Sequence, residues 1–142
     1  MSLDLDALET SFDIVAPRGD DLMDVFYARL FDAAPAVRPL FASTDLRRQK
    51  AMLLGALVLV RKSLRDLDAI VPALHKLGAR HVSYGARAKH YPVVAAVLIA
   101  SMAEIAGPAW RPHHERAWNA ALTVVAGAML EGAAAAELDM AA

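Results

Sequence analysis

Apolar residues recur at every third or fourth position along almost the whole chain, which is the period of an α-helix. The first such face carries Leu5, Leu8, Phe12 and Val15. Pro17 and Gly19 are expected to end this helix, because both residue types interrupt helical patterns. The pattern therefore predicts a helical fold from the first turn onward.

Proline and cap residues mark the boundaries of the next two helices. Asp20 and Asp21 put negative charge at the start of a second helix, where the helix dipole favours it, and Pro35 ends that helix. The segment Ala36–Phe41 is expected to form a short turn. Ser-Thr-Asp at 43–45 is a cap cluster, and it predicts a long third helix that runs to about residue 64.

Three more helices complete the pattern. Asp66 or Asp68 is expected to cap the fourth helix, which ends near His81 before Gly85 interrupts the periodicity. Pro92 suits the first position of the fifth helix. The last helix is predicted from residue 112 onward. The sequence thus predicts an all-α fold of six substantial helices and one short turn.

Composition supports a single helical domain. The chain has 142 residues, of which 57% are hydrophobic, 22% are charged and 31 are alanine, the best helix former. A chain of this length can bury roughly 68–70% of its unfolded surface. We expect one domain over residues 1–142, with an alanine-rich helix end or tail at 132–142.

Charge and cysteine content exclude several classes of function. Fifteen basic and sixteen acidic residues are scattered without long runs, so nucleic acid is not an expected partner. The absence of cysteine excludes disulfides, cysteine-based metal sites and thiol catalysis. The longest uncharged stretches, 91–103 and 117–130, are shorter than the ~20 residues of a membrane span. Without a secretion-signal pattern at the N-terminus, the cytoplasm is the expected location.

Among five histidines, His81 has the most informative position. The other four are His75, His90, His113 and His114, and no two of the five have the i, i+4 spacing of a helical metal pair. Leu74 and Leu77 precede His81 by seven and four residues, so its imidazole lies on an apolar stripe. Such a ring needs a partner for its nitrogens. It is either a core histidine bonded to a carbonyl or a ligand of a metal or heme.

Two more polar groups point to the same apolar interior. Tyr27 lies in a buried helix and its hydroxyl needs a partner. Gln49 shares a helical face with Leu53 and Leu57. Either residue alone is compatible with ordinary packing, but three polar groups in one apolar interior suit a large, flat cofactor with a polar centre. No nucleophile elbow or glycine-rich phosphate loop favours a hydrolase or a nucleotide-binding protein.

Three runs of sequence resemble bacterial single-domain hemoglobins and the globin domain of flavohemoglobins. The first is Phe-Tyr-Ala-Arg-Leu-Phe at 26–31, followed by Pro35 and Val-Arg-Pro-Leu-Phe at 37–41. The second is Leu-Gly-Ala-Arg-His at 77–81, which continues through Tyr-Gly at 84–85 to His-Tyr-Pro-Val-Val at 90–94. The third begins at Ala-Trp, 117–118. The similarity covers residues 3–132.

The resemblance implies a globin fold around a heme pocket, with heme b (iron protoporphyrin IX) as cofactor. His81 falls on the proximal iron ligand of the family. Tyr27 and Gln49 fall on the distal tyrosine and glutamine, the residues that would act on a bound gas in catalysis. Phe41 falls on the phenylalanine that wedges against the porphyrin.

Further positions follow from the same resemblance. Leu53 falls on the apolar residue over the iron, and Leu77 and Val94 fall on proximal packing positions. Tyr91 matches the tyrosine that bacterial members couple to the proximal histidine. Arg80 is expected near a heme propionate.

The chain departs from the family at two places. Bacterial members often add a glutamate to the proximal histidine and tyrosine, and that place falls on Ala133. Glu131, two residues away, lies roughly 200° around the helix. A proximal imidazole without an anionic partner is a weaker electron donor, which disfavours peroxidase-like chemistry. The turn between Phe41 and Gln49 is also expected to be one residue longer than in the family that the chain resembles.

The resemblance implies reversible binding of oxygen, and of nitric oxide or carbon monoxide, at an iron with an open position. Oxidation of nitric oxide to nitrate is the expected enzymatic activity, and it needs a separate reductase. Three alternatives stay open: oxygen storage or delivery without turnover, gas sensing through a partner protein, and a heme-free interaction domain. The protein is expected to be a monomer or a homodimer.

Overall fold

Six α-helices joined by short 3-10 turns form the part of the chain that is described. The computed structural model describes the backbone of residues 3–141 and the side chains of residues 3–138. The helices are α1 (Leu5–Val15), α2 (Gly19–Ala33), α3 (Leu46–Lys62), α4 (Val71–Ser83), α5 (His90–Ala106) and α6 (Pro112–Ala141). The 3-10 turns are Ala16–Arg18, Pro35–Phe41, Leu67–Ile70 and Gly107–Ala109. The prediction of an all-α fold with six main helices is confirmed.

Several helix ends are set by the residues that the sequence suggests. Asp45 caps α3, because its carboxylate accepts hydrogen bonds from the backbone N–H groups of Arg47 (3.0 Å) and Arg48 (3.4 Å). Gly85 after α4 and Gly107 after α5 have φ angles of 88° and 59°, which a Cβ atom would disfavour. The alanine-rich segment 132–141 continues α6.

Two helix starts were predicted wrongly. Neither Asp66 nor Asp68 caps α4, because the 3-10 turn Leu67–Ile70 comes first and buries Ile70 in the core. Helix α5 begins at His90, so Pro92 occupies its third position rather than its first. Proline is tolerated there, since the first four N–H groups of a helix have no partner within the helix.

The core lies where α1, α2, α5 and α6 meet. Its largest fully buried side chains are Trp118, Phe26, Leu8, Leu22, Met23 and Met102. The indole Nε1 of Trp118 donates a hydrogen bond to Ser11 Oγ (2.8 Å), and this hydroxyl donates to the Ala7 carbonyl (2.6 Å). The two polar groups therefore satisfy each other inside the core.

Helix α4 is held in a different way, by backbone contact with α6. A Cβ atom on Gly78 would lie 2.8 Å from the Cα of Met129, and one on Gly132 would lie 2.6 Å from the carbonyl carbon of His75. Real Cβ atoms do not approach other atoms so closely. Both positions therefore require glycine. We call these two glycines, with the backbone of Met129 and His75 that they face, the glycine seam.

Two helices have the length and composition of a membrane span. The segments His90–Ala109 and Pro112–Leu138 have mean hydropathies of 1.7 and 1.4 over 18 residues. Core helices of globular proteins share these values, so they are weak evidence for a membrane. Here both helices contribute buried residues to the core, among them Met102 and Trp118.

Candidate functional site on α2, α3 and α4

An aromatic cluster encloses Tyr27. This residue lies on α2 and is only 4% exposed. Its ring centroid lies 4.9 Å from that of Phe26, 6.0 Å from that of Phe31 and 5.9 Å from that of Phe41. Phe31 and Phe41 also contact each other edge to face, with centroids 5.5 Å apart. The 3-10 turn therefore fixes the Tyr27 ring by bringing Phe41 back against α2.

The side chain of Gln49 acts on the hydroxyl of Tyr27. Burial raises the pKa of Tyr27, and hydrogen bonding to the Gln49 side chain opposes this rise in part. Gln49 lies in the first turn of α3, which Asp45 caps, and its backbone N–H donates to the Asp45 carbonyl (2.9 Å). Tyr27 therefore keeps its proton at neutral pH and can donate a hydrogen bond. Leu53, one turn further along α3, is half-buried beside the core.

His81 on α4 has one ring nitrogen occupied. Its Nδ1 lies 2.7 Å from the carbonyl oxygen of Leu77, one helical turn earlier. Only a protonated Nδ1 can donate to a carbonyl, so the neutral ring carries its lone pair on Nε2. Burial lowers the pKa of His81 and the charge of Arg80 lowers it further, although the Leu77 bond opposes them. The neutral imidazole, the form that binds metals, is favoured at pH 7.

Two tyrosine rings border His81. The centroid of Tyr84 lies 5.8 Å from that of His81, and the centroid of Tyr91 lies 6.3 Å from it. Tyr84 is 53% exposed, whereas Tyr91 is half-buried. Val94 follows Tyr91 by one turn of α5 and packs against the core. Arg80 is exposed, as expected for a residue that pairs with an acidic group at the edge of a site.

These residues fit an iron porphyrin. Among the residues described, α4 packs against α6 and the turn before it, and it makes no comparable contact with α3. The apolar residues predicted for the pocket, which are Phe41, Leu53, Leu77 and Val94, are all half-buried. Half-exposed apolar side chains on several elements of the fold, together with an imidazole that has a free nitrogen, suit a flat, apolar ligand that carries a metal. Cysteine and carboxylate ligands are not needed for such a group.

The proximal carboxylates lie differently from what the sequence alone indicates. Ala133 is 8% exposed and faces the interior of the fold. Glu131 pairs with His75 at 3.1 Å and does not approach His81. Glu137, one helical turn after Ala133, is the carboxylate whose charge, together with burial, raises the pKa of Tyr91. Sequence reasoning missed Glu137, although its i+4 spacing from Ala133 was the available signal.

A surface cavity lies beside the aromatic cluster. Its volume is about 400 Å³, and its lining comprises Phe31, Pro35, Arg38, Pro39, Phe41, Ala42 and Leu46. Only Phe41 is shared with the predicted heme site. The Arg38 guanidinium lies 4.8 Å from the centroid of the Phe31 ring, so it covers the cluster on its solvent side.

The remaining histidines have local roles. His90 Nδ1 and His114 Nδ1 each accept a backbone N–H, from Arg87 and Arg111, at 2.9 Å. The His113 ring lies against that of His114, with ring centroids 4.1 Å apart and the planes tilted by 46°. Within residues 3–138, no three histidine or acidic side chains are grouped as a metal site. His81 is therefore the strongest single candidate for a metal ligand.

Comparisons with known proteins agree with this description. The family model described as Globin matches residues 24–129. The chain is 25% identical over 128 residues to a flavohemoprotein of Bacillus subtilis, covering 89% of this chain and 32% of the relative. It is 30% identical over 110 residues to a flavohemoprotein of Bordetella parapertussis, covering 76% and 27%. The chain thus spans about a third of the length of these curated relatives.

Solved structures share the fold. An engineered carbene transferase from Rhodothermus marinus superposes with a TM-score of 0.89 at 22% identity, with all of both chains covered. A bacterial globin from Campylobacter jejuni superposes with a TM-score of 0.79 at 24% identity, covering 91% of this chain and 93% of the other. At these identities the superpositions establish the arrangement of helices.

Proposed function

Since the chain belongs to the globin family, we propose that it binds heme b through His81 and binds a diatomic gas on the Tyr27 side. Family membership and the flavohemoprotein relatives imply heme binding. The observation that carries the proposal is the pairing of two unlike sites in one fold. One is a neutral imidazole with Nε2 free, and the other is a buried phenol that still has its proton.

His81 and its neighbours would hold the heme. The Leu77 carbonyl orients the imidazole and fixes its tautomer, so Nε2 is the atom available to iron. Leu77, Val94 and Tyr91 would border the proximal face. The exposed guanidinium of Arg80 would pair with a propionate.

Tyr27 and Gln49 would act on the bound gas. Heme would supply an iron that binds a diatomic molecule and transfers electron density to that molecule. The phenol of Tyr27 can donate a hydrogen bond to that charge, and the Gln49 amide can donate a second. A hydrogen bond to a charged group contributes ~1.5–3 kcal/mol. Two such donors favour tight binding and slow release of oxygen, and Leu53 and Phe41 would keep water away.

We further propose that the protein converts nitric oxide to nitrate. The overall change, NO + O₂ + e⁻ → NO₃⁻, consumes one electron, so turnover requires a reductase. The relatives named flavohemoprotein are about three times as long as this chain, and their names indicate a flavin as well as a heme. The cytoplasm, where such a reductase finds its nicotinamide donor, is the proposed location.

Visible absorption spectra test heme binding directly. We expect a Soret band in the purified or hemin-reconstituted protein that shifts on reduction with dithionite and again with carbon monoxide. A protein that stays colourless after hemin is supplied would refute the proposal. Nitrate formation from nitric oxide, oxygen and a reductase then tests turnover. Wild-type rates should exceed those of Tyr27→Phe.

One observation favours a second function, reversible gas binding without turnover. The proximal Nδ1 bonds to a neutral backbone carbonyl and not to a carboxylate. A neutral partner gives the imidazole less electron-donating power, which disfavours cleavage of an oxygen–oxygen bond. Stable oxygen binding with no nitrate production would identify storage or scavenging as the function.

A further inference from the structure

The glycine seam lies one residue from the carbonyl that orients His81. Gly78 immediately follows Leu77, whose carbonyl oxygen is the partner of His81 Nδ1. At Gly78 the backbone of α4 meets the backbone of α6 at Met129, and at Gly132 the contact is reciprocal, because α6 meets the His75 carbonyl of α4. The seam therefore fixes α4 at residues 75 and 78, within the two helical turns before His81.

Helix α4 has few other attachments among the residues described. Its largest interface is with α6, and its only other substantial contact is with the 3-10 turn that leads into it. Leu74 is a fully packed side chain on α4, whereas Leu77 and His81 are half-buried. Side-chain packing therefore constrains α4 less than the backbone contact does.

We propose that Gly78 and Gly132 are positioning residues for His81. The glycine seam sets the distance of α4 from α6 and the rotation of α4 about its own axis. These two quantities set the direction of the imidazole toward the iron. This inference rests on the proposed function because it needs an iron for His81 to bind. The contact between α4 and α6 does not depend on the proposed function. A Cβ at either position would push α4 away from α6, since backbone atoms cannot move aside as a flexible side chain can. His81 would move with the helix.

Alanine substitutions in the heme-loaded full chain provide the test. Gly78→Ala and Gly132→Ala should each shift the iron–imidazole stretching band of the ferrous protein in resonance Raman spectra. Loss of heme to an acceptor protein should become about tenfold faster, as expected for overpacking of a tight contact. If both variants fold and keep the wild-type band, the proposal is wrong.

Matched controls separate positioning from general loss of stability. Gly127→Ala on α6 and Gly55→Ala on α3 add a Cβ where nothing lies within 4 Å. Both should keep the wild-type band and raise the melting temperature, because alanine is the better helix former. In a His81→Gly background supplied with imidazole, the ligand is no longer tied to α4, so Gly78→Ala should leave the band unchanged. A band that shifts there too would contradict positioning through His81.

Hydrogen exchange of the wild-type protein tests the seam even if neither seam variant folds. The two segments 75–83 and 126–133 should open together. The exchange rates of their amide protons should therefore depend on denaturant concentration in the same way. Independent opening of the two segments would overturn the proposal. A wild type that takes up no heme would refute the proposed function instead. The seam would then be judged from this exchange alone.

Discussion

The two halves of the candidate site are held by opposite means. On the α2–α3 side, Tyr27 is surrounded by three aromatic rings and is almost fully buried. On the α4 side, His81 is half-buried and has one fixed hydrogen bond, and its helix contacts α6 through backbone at the glycine seam. Side chains fix the first group, whereas main chain fixes the second.

This difference suits the work proposed for each half. A hydrogen-bond donor to a bound gas must be dry and fixed, because water would compete for the same acceptor and weaken the bond. A metal ligand must leave a lone pair open toward a large cofactor, so full burial by protein side chains would block it. We therefore expect substitutions on the α2–α3 side to alter gas release, and substitutions on the α4 side to alter heme retention.

The largest expected effect is on the α4 side. His81→Ala removes the half-buried imidazole that is proposed to bind the iron through Nε2, so heme affinity should fall by more than about 100-fold. His75→Ala is the matched control, because His75 lies on the same helix and pairs with Glu131 near the surface. Heme titration of the two variants checks this. Equal affinity in both would remove His81 as the iron ligand.

The next effect belongs to the other half. Tyr27→Phe removes the phenolic donor and keeps the ring within its aromatic cluster, so oxygen should dissociate about 10- to 150-fold faster. Stopped-flow measurement of oxygen dissociation decides this, and an unchanged rate excludes Tyr27 from gas binding. A double-mutant cycle with Gln49→Leu should show coupling, because the Gln49 side chain lowers the pKa of Tyr27.

A smaller effect concerns the proximal carboxylate. Glu137→Gln removes the negative charge that raises the pKa of Tyr91, so this pKa should fall, although burial will still hold it above its usual value. Glu131→Gln, on the same helix but beside His75, should leave it unchanged. Ultraviolet titration of tyrosine ionisation in each variant gives the comparison. A fall of equal size in both variants would contradict a specific influence of Glu137.

The sequence supports the prediction of one half of the site better than the other. The apolar period and the caps predict six helices. Tyr27 and Gln49 can be assigned to one interior from their helical faces, and Phe41 is added by the resemblance to the globin family. The glycine seam could not be predicted, since contact between two backbones leaves no apolar pattern at Gly78 or Gly132.

The helix starts show a related limit. Local rules place the start of α4 at Asp66 or Asp68, but burial of Ile70 in a 3-10 turn displaces it to Val71. Glu137 was likewise missed, because one turn of helix separates it from the family position and only the folded chain shows its charge acting on Tyr91. Propensity and spacing therefore describe single elements, while contacts between elements decide the rest.

The smallest effect is a pH dependence outside the site. His114 is the third residue of α6 and is 6% exposed. Its Nδ1 accepts a hydrogen bond from the backbone N–H of Arg111, which precedes the helix. This cap requires an unprotonated Nδ1. Burial and neighbouring His113 and Arg111 lower its pKa below 6.5, although Asp4 opposes them. The unfolded chain therefore takes up the proton first, so stability should fall as the pH drops below about 6.5.

His114→Gln keeps an acceptor for the cap without titrating, and it should reduce this loss between pH 7.5 and 5.5 in urea unfolding of the heme-loaded protein. The titration of His81 is common to both proteins and cancels in the difference. His113→Gln removes only one of the causes that lower the pKa of His114, so it should reduce the loss by less, and an equal reduction in that variant would show that the cap is not the source.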